Sequence, residues 1–126
     1  MTDPFNLERF VRAQDPVYPR VLKELRQGHK ETHWMWFIFP QLKGLGSSRT
    51  AVLYAISSLE EARAYLEHSR LGPRLRECTA LVNAIAAKSL DQIFGYPDNL
   101  KFHSCMELFA EASNQSEVFV TGANRR

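Results

Sequence analysis

The chain is poor in the features that would assign a function by composition. Its 126 residues include two cysteines, Cys78 and Cys105. Both fall in segments of helical periodicity, which argues against a disulfide framework and for free thiols in a reducing compartment. No apolar run approaches the ~20 residues that a membrane span needs. The start Met1-Thr2-Asp3-Pro4 carries no basic stretch leading into an apolar one, so a cytoplasmic location and no membrane partner are expected. Net charge is only +2, from 16 Lys and Arg against 14 Asp and Glu. Nucleic-acid binding is therefore not expected, because replacing counterions on phosphates takes clustered cations. The four histidines and two cysteines show no spacing of a closed metal site, and no cofactor motif is visible.

What is present is bulk. At 44% hydrophobic and 24% charged, the sequence has the balance of one ordinary domain able to bury its own core. No repeat or linker divides it, so residues 1–126 read as a single domain. Trp34, Met35, Trp36, Phe37, Ile38 and Phe39 form one block that holds both tryptophans, between a polar run from Gly28 to His33 and the breaker-rich Pro40-Gln41-Leu42-Lys43-Gly44-Leu45-Gly46.

The pattern predicts an all-α fold of about six helices. Asp3-Pro4 and Asp15-Pro16 each read as a helix start, with Gly28 suited to the left-handed position that ends the second helix. The aromatic block fits a buried helix turn or a buried strand; helix is favoured, ending by Phe39 because Pro40 disfavours helical backbone before it. Residues 50–56 could form a short strand or a helix. Ser58 with Glu61 reads as a capping box opening a helix over 59–68, with His68 facing the dipole at its end. A long helix is expected over 73–88, a short helical turn after Ser89, and a helix over 99–112 capped by Asp98. Beyond Asn114 the chain turns polar, and residues 115–126 are expected to be a loosely packed tail.

The candidate site surrounds the aromatic block. In a helix, His33, Trp36 and Phe37 share a face, and Lys30 lies one turn earlier. This joins a proton-transfer group, a cation and a stacking surface. Lys43-Gly44-Leu45-Gly46-Ser47-Ser48 offers backbone N–H groups to an anion, although it lacks the full spacing of a nucleotide-binding loop. Lys101 and Ser104 on the late helix could join the site, whereas Cys105 is expected in the core. The arginines at 63, 70, 74 and 76 alternate with acids and read as a solvated face.

Ala13-Gln14, Gly28-His29-Lys30, the run from His33 through Gly46, Glu61-Ala62-Arg63-Ala64-Tyr65-Leu66, Phe94-Gly95, Asp98 and Leu108-Phe109 together resemble the DUF1810 family. This is a small, mainly bacterial group of domains of unknown function, some of which carry the label calpastatin. The composition here is unlike that of a disordered, repeat-built calpain inhibitor. The resemblance implies a further helix after Leu108-Phe109, where this chain instead reads as a tail. A fainter similarity, in helix order and in the Lys-containing late helix, is to N-glycosidase families acting on ADP-ribose-like substrates.

Two functions are compatible with these residues. In the first, an enzyme handles a nucleotide-like or ADP-ribosyl ligand in the manner of an N-glycosidase. Trp36 or Trp34 stacks a ring, Lys30 and Lys43 meet anionic oxygens, His33 moves a proton, Gln41 orients the substrate, and Gly44 and Gly46 line the loop. That reading lacks a carboxylate, since Glu31 falls on another face from His33. In the second, the segment is mainly core of a non-catalytic helical binding module.

Overall fold

The computed structural model describes residues 2–126. Asp3 does start the first helical region, but across a turn. Its carboxylate accepts hydrogen bonds from the N–H groups of Leu7 and Glu8 at 2.8 and 3.0 Å. Helix α1 therefore runs Glu8–Gln14. Helix α2, Tyr18–Gln27, carries Pro19 in its first turn and stops at Gly28, whose φ of +71° is the left-handed geometry expected of it. The aromatic block yields a single helical turn, α3, Met35–Ile38.

The alternative of a strand over 50–56 is overturned. Residues Arg49–Leu53 form α4, because the Ser48 hydroxyl accepts the Ala51 N–H at 3.1 Å and opens a helix there. Extended pairing shrinks to one isolated parallel bridge, Leu42 to Ile56, and the described residues contain no strand. Helix α5, Leu59–Glu67, is capped by Ser58 accepting from Glu61 N–H. The reciprocal half of the expected capping box is not used. Glu61 instead accepts from the backbone and hydroxyl of Ser57 at 2.8 and 2.7 Å, and from Arg9 at 2.8 Å.

Helix α6, Leu71–Asn83, begins before Pro73 because the His68 imidazole nitrogen accepts the N–H groups of Arg70 and Leu71. It ends short of residue 88. The Arg125 guanidinium takes the carbonyls of Val82, Ile85 and Lys88 at 2.6, 2.6 and 3.0 Å and so substitutes for a further turn. Helix α7, Leu90–Phe94, has a complete capping box between Ser89 and Gln92. Helix α8 is Asp98–Ala112, with Asp98 inside its first turn rather than capping it.

The loosely packed tail is likewise corrected, since Glu117–Ala123 form α9. Phe119 is wholly buried, and full burial of such a side chain is worth about 2–3 kcal/mol. Gly122 lies so close to α8 that a Cβ there would stand 2.5 Å from Met106 Sδ. The described residues thus hold nine helices where about six were expected; α4 and α9 fall where a possible strand and a loose tail were expected.

Helix α8 is the axis of the core. Phe102, Cys105, Met106 and Phe109 are sealed in the core, where α8 packs on α5 and α9, Phe109 meeting Tyr65 at 5.4 Å and Phe119 at 6.0 Å, and α6 closes against α5 and α9. Phe39 meets Phe102 edge-on at 5.0 Å and Phe94 at 5.8 Å, so the aromatic block is nailed to α8 and α7. No helix among the described residues is long and apolar enough to cross a membrane.

Candidate functional site

Glu24, near the end of α2, shapes the approach to the aromatic block. One carboxylate oxygen accepts Glu31 N–H at 2.7 Å, Thr32 N–H at 3.0 Å and the Trp34 indole N–H at 3.0 Å; the other accepts the Thr32 hydroxyl at 2.6 Å. Burial pushes this acid upward, yet the Thr32 hydroxyl and the backbone and indole donors outweigh it and hold the carboxyl at about 2. With its N–H satisfied and only 2% of its surface exposed, Trp34 is a buried post. The loop is fixed further by the Lys30 N–H donating to Ile93 O at 2.8 Å.

Lys30 thereby reaches the amino end of α8. Its ammonium lies 2.9 Å from one Asp98 oxygen, and Lys101 lies 3.1 Å from the other. Lys101 also stands 4.4 Å above the Trp36 ring, and Lys30 is 5.2 Å from that of Trp34. Burial favours the neutral acid of Asp98, but hydrogen bonds and charge from Lys30 and Lys101 prevail and keep it below the usual carboxylate range. Together these groups wall a cleft of about 270 Å³, which His33, Ser48 and Thr50 also line.

The structure brings Lys30, His33, Trp34, Trp36 and Lys101 to this cleft. His33 is exposed at its rim, and Trp36 is half-buried, with Gly46 tight against the edge of its ring. Gln41 is buried and points inward, its amide donating to Phe39 O at 3.0 Å and Lys101 O at 2.7 Å. It ties the aromatic segment to α8 and has no free donor for a ligand. Lys43, Gly44 and Ser104 are not among the cleft-lining residues; Lys43 is exposed, and its backbone N–H bonds Ile56 O. Among the described residues no His, Cys, Asp or Glu cluster could hold a metal ion.

Asp98 is the group that sequence reasoning missed. It supplies the carboxylate that the segment around His33 lacks, but it reads from sequence as a helix cap. Its pairing with Lys30 is visible only after α7 and α8 have brought it across the fold. Ser48 belongs to the loop expected to meet an anion, whereas Thr50 was missed; it reaches the cleft on the first turn of α4, which the Ser48 hydroxyl opens.

Compared with solved structures, the chain is similar to the conserved hypothetical protein Rv1873 from Mycobacterium tuberculosis, with 61% identity and a TM-score of 0.94 over 95% of this chain and 86% of that one. No curated protein matches it. The family described as protein of unknown function, DUF1810, matches residues 4–125. That match spans the Glu24-braced loop, the aromatic segment and both lysines of the cleft, and the chain belongs to the DUF1810 family.

Proposed function

We propose that the cleft binds a nucleotide-like or ADP-ribosyl ligand, and that the chemistry its residues suit is hydrolysis of an N-glycosidic bond. The observation that carries the reading is the Asp98 carboxylate held between Lys30 and Lys101 beside the Trp36 ring. At about 270 Å³ the cleft falls just below the usual range of ligand sites, which run from ~300 Å³ upward. It suits one ring with its sugar or phosphate rather than a whole dinucleotide. Trp36 offers a face or edge for the ring, and the two ammonium groups offer charge to phosphate oxygens.

An ionised Asp98 is a poor general acid. Its charge suits stabilisation of the positive charge that develops at an anomeric carbon as its bond to nitrogen breaks, or orientation of the attacking water. His33 at the rim is the group available to move a proton. A non-catalytic binding module is the second reading, favoured by Trp34 and Gln41, whose polar groups are spent on Glu24 and on backbone carbonyls.

Thermal-shift titration with AMP, ADP-ribose and ribose 5-phosphate tests binding. A ligand at 100 times its Kd adds about 2.7 kcal/mol to stability. At least one should raise the midpoint of the wild type, with the rise abolished in Trp36→Ala. Absence of any shift with all three would sink the proposal. Release of free base from a bound nucleoside derivative, lost in Asp98→Asn while the thermal shift persists, would separate the enzyme from the binding module.

A further inference from the structure

The cleft has one wall of a different kind from the others. Lys30, Asp98 and Lys101 belong to segments locked into the core, whereas Ser48 and Thr50 belong to a long excursion between Gln41 and Ile56. The two ends of that excursion are pinned. Lys43 N–H donates to Ile56 O and Ile56 N–H donates to Gln41 O, both at 2.8 Å. Arg9 adds a second pin on one arm, donating to Leu53 O and Ala55 O at 2.8 Å each. Tyr54 is wedged between the rings of Phe10 and Phe37, at 5.8 and 5.4 Å.

Between the pins there is little to hold the chain down. Within 44–53 only Ala51 is buried, and Leu45 and Val52 are 58% and 65% exposed. Gly44, at φ +93°, has open space where a Cβ would stand. Gly46 latches the excursion onto the Trp36 ring and packs on the excursion's own Ala51, so closely that a Cβ on it would lie 2.7 Å from Trp36 Cη2 and 2.8 Å from Ala51 Cβ.

We infer that residues 44–52 are a lid, hinged at the Leu42–Ile56 bridge and latched on the Trp36 ring by Gly46, whose local opening uncovers that ring and the cleft. Compact loops with adjoining ends and few buried apolar contacts open at lower free energy than the core. The lid carries the first turn of α4 with it, ahead of the Arg9 pin on Leu53 O, so that Ser48 and Thr50 leave the cleft when it opens. This inference does not depend on which ligand the cleft takes.

Single-residue amide exchange by NMR on the wild-type chain tests it. The lid is reported by Ala51 N–H, bonded to Ser48 Oγ, and Val52 N–H, bonded to Ser48 O. The hinge is reported by Lys43 and Ile56, and the core by the amides of Phe102 to Phe109 in α8. Ala51 and Val52 should exchange at least about 100-fold faster than the hinge and core amides, with rates unmoved by mild urea, because local opening exposes little surface. One common rate and one common urea slope for lid, hinge and α8 would overturn the lid. A lid that exchanges together with its hinge would overturn the hinge at the bridge.

Gly46→Ala supplies a second readout. With Trp34 buried and bonded to Glu24, acrylamide quenching reports mainly on Trp36. The added methyl should lift the latch and raise that quenching roughly twofold or more, whereas unchanged quenching in a folded variant would count against the lid. If the variant does not fold, the wild-type exchange rates decide alone.

Discussion

Replacing Glu24 by Gln isolates the value of one negative charge at the root of the cleft. The amide keeps the shape of the carboxylate. Its oxygen can still accept from Glu31, Thr32 and Trp34, and its NH2 can donate to a reoriented Thr32 hydroxyl. What is lost is charge: three N–H donors converge on one oxygen, at 2.7, 3.0 and 3.0 Å. A carboxyl held at about 2 against an ordinary 4.5 corresponds to roughly 3 kcal/mol, and screening at the molecular surface brings this to about 2 kcal/mol. Because the folded-state value is the depressed one, the contribution is fully present above pH 4.5 and is lost as pH falls toward 2. Urea unfolding at pH 7 should thus show Glu24→Gln less stable by about 2 kcal/mol, with less than about half of that gap remaining at pH 3. A gap below about 0.5 kcal/mol at pH 7, the range of ordinary surface substitutions, would refute the account of this carboxylate as a charged anchor. So would a full gap that persists at pH 3.

Two further outcomes follow from the packing. Gly72→Ala would place a Cβ 2.0 Å from the carbonyl oxygen of Leu66, which is backbone and cannot swing aside, so α5 and α6 must part; urea unfolding should show a loss of about 3 kcal/mol or more, and a loss under about 1 kcal/mol would mean that the junction is softer than its geometry. Cys78 and Cys105 are both buried, and burial pushes the Cys78 thiol up to about 12 and the Cys105 thiol well above its usual value. An aromatic disulfide reagent at pH 8 should accordingly label neither in the native state and both in denaturant; rapid native labelling of one would contradict its burial.

Capping chemistry was the most legible layer of the fold. Ser58, Ser89 and Gly28 act where their local sequence places them, because a cap is satisfied within a few residues of itself. The identity of the partner was less legible wherever a distant group competes. Glu61 looks like the second half of a capping box, but Arg9 and Ser57 claim its carboxylate. His68 ends one helix as expected, and its imidazole also caps the start of the next. Helix α9 could not be read from its own residues, since Val118, Val120 and Thr121 are β-branched and Gly122 weakens any isolated helix. It forms because Phe119 and Gly122 fit the surface of α8. At the candidate site, Lys30, His33, Trp36 and Lys101 could be picked out by residue type and local spacing. Asp98 could not, because its role rests on a contact with a lysine in another quarter of the chain.

That separation has a bearing on how the molecule comes into being. Gln41 bonds the carbonyl of a residue 60 positions away, Lys88 reaches Gly28 over the same interval, and Lys30 meets Asp98 across a still longer stretch. Helical proteins generally fold fast because their contacts are local, and each long loop that must close slows the search. Here the helices can form early from short-range signals, but the cleft exists only once the two halves of the chain have met. A partly folded chain would already have most of its helices and no trace of its cleft, so recovery of helical signal during refolding should run ahead of the appearance of a quencher-resistant Trp34.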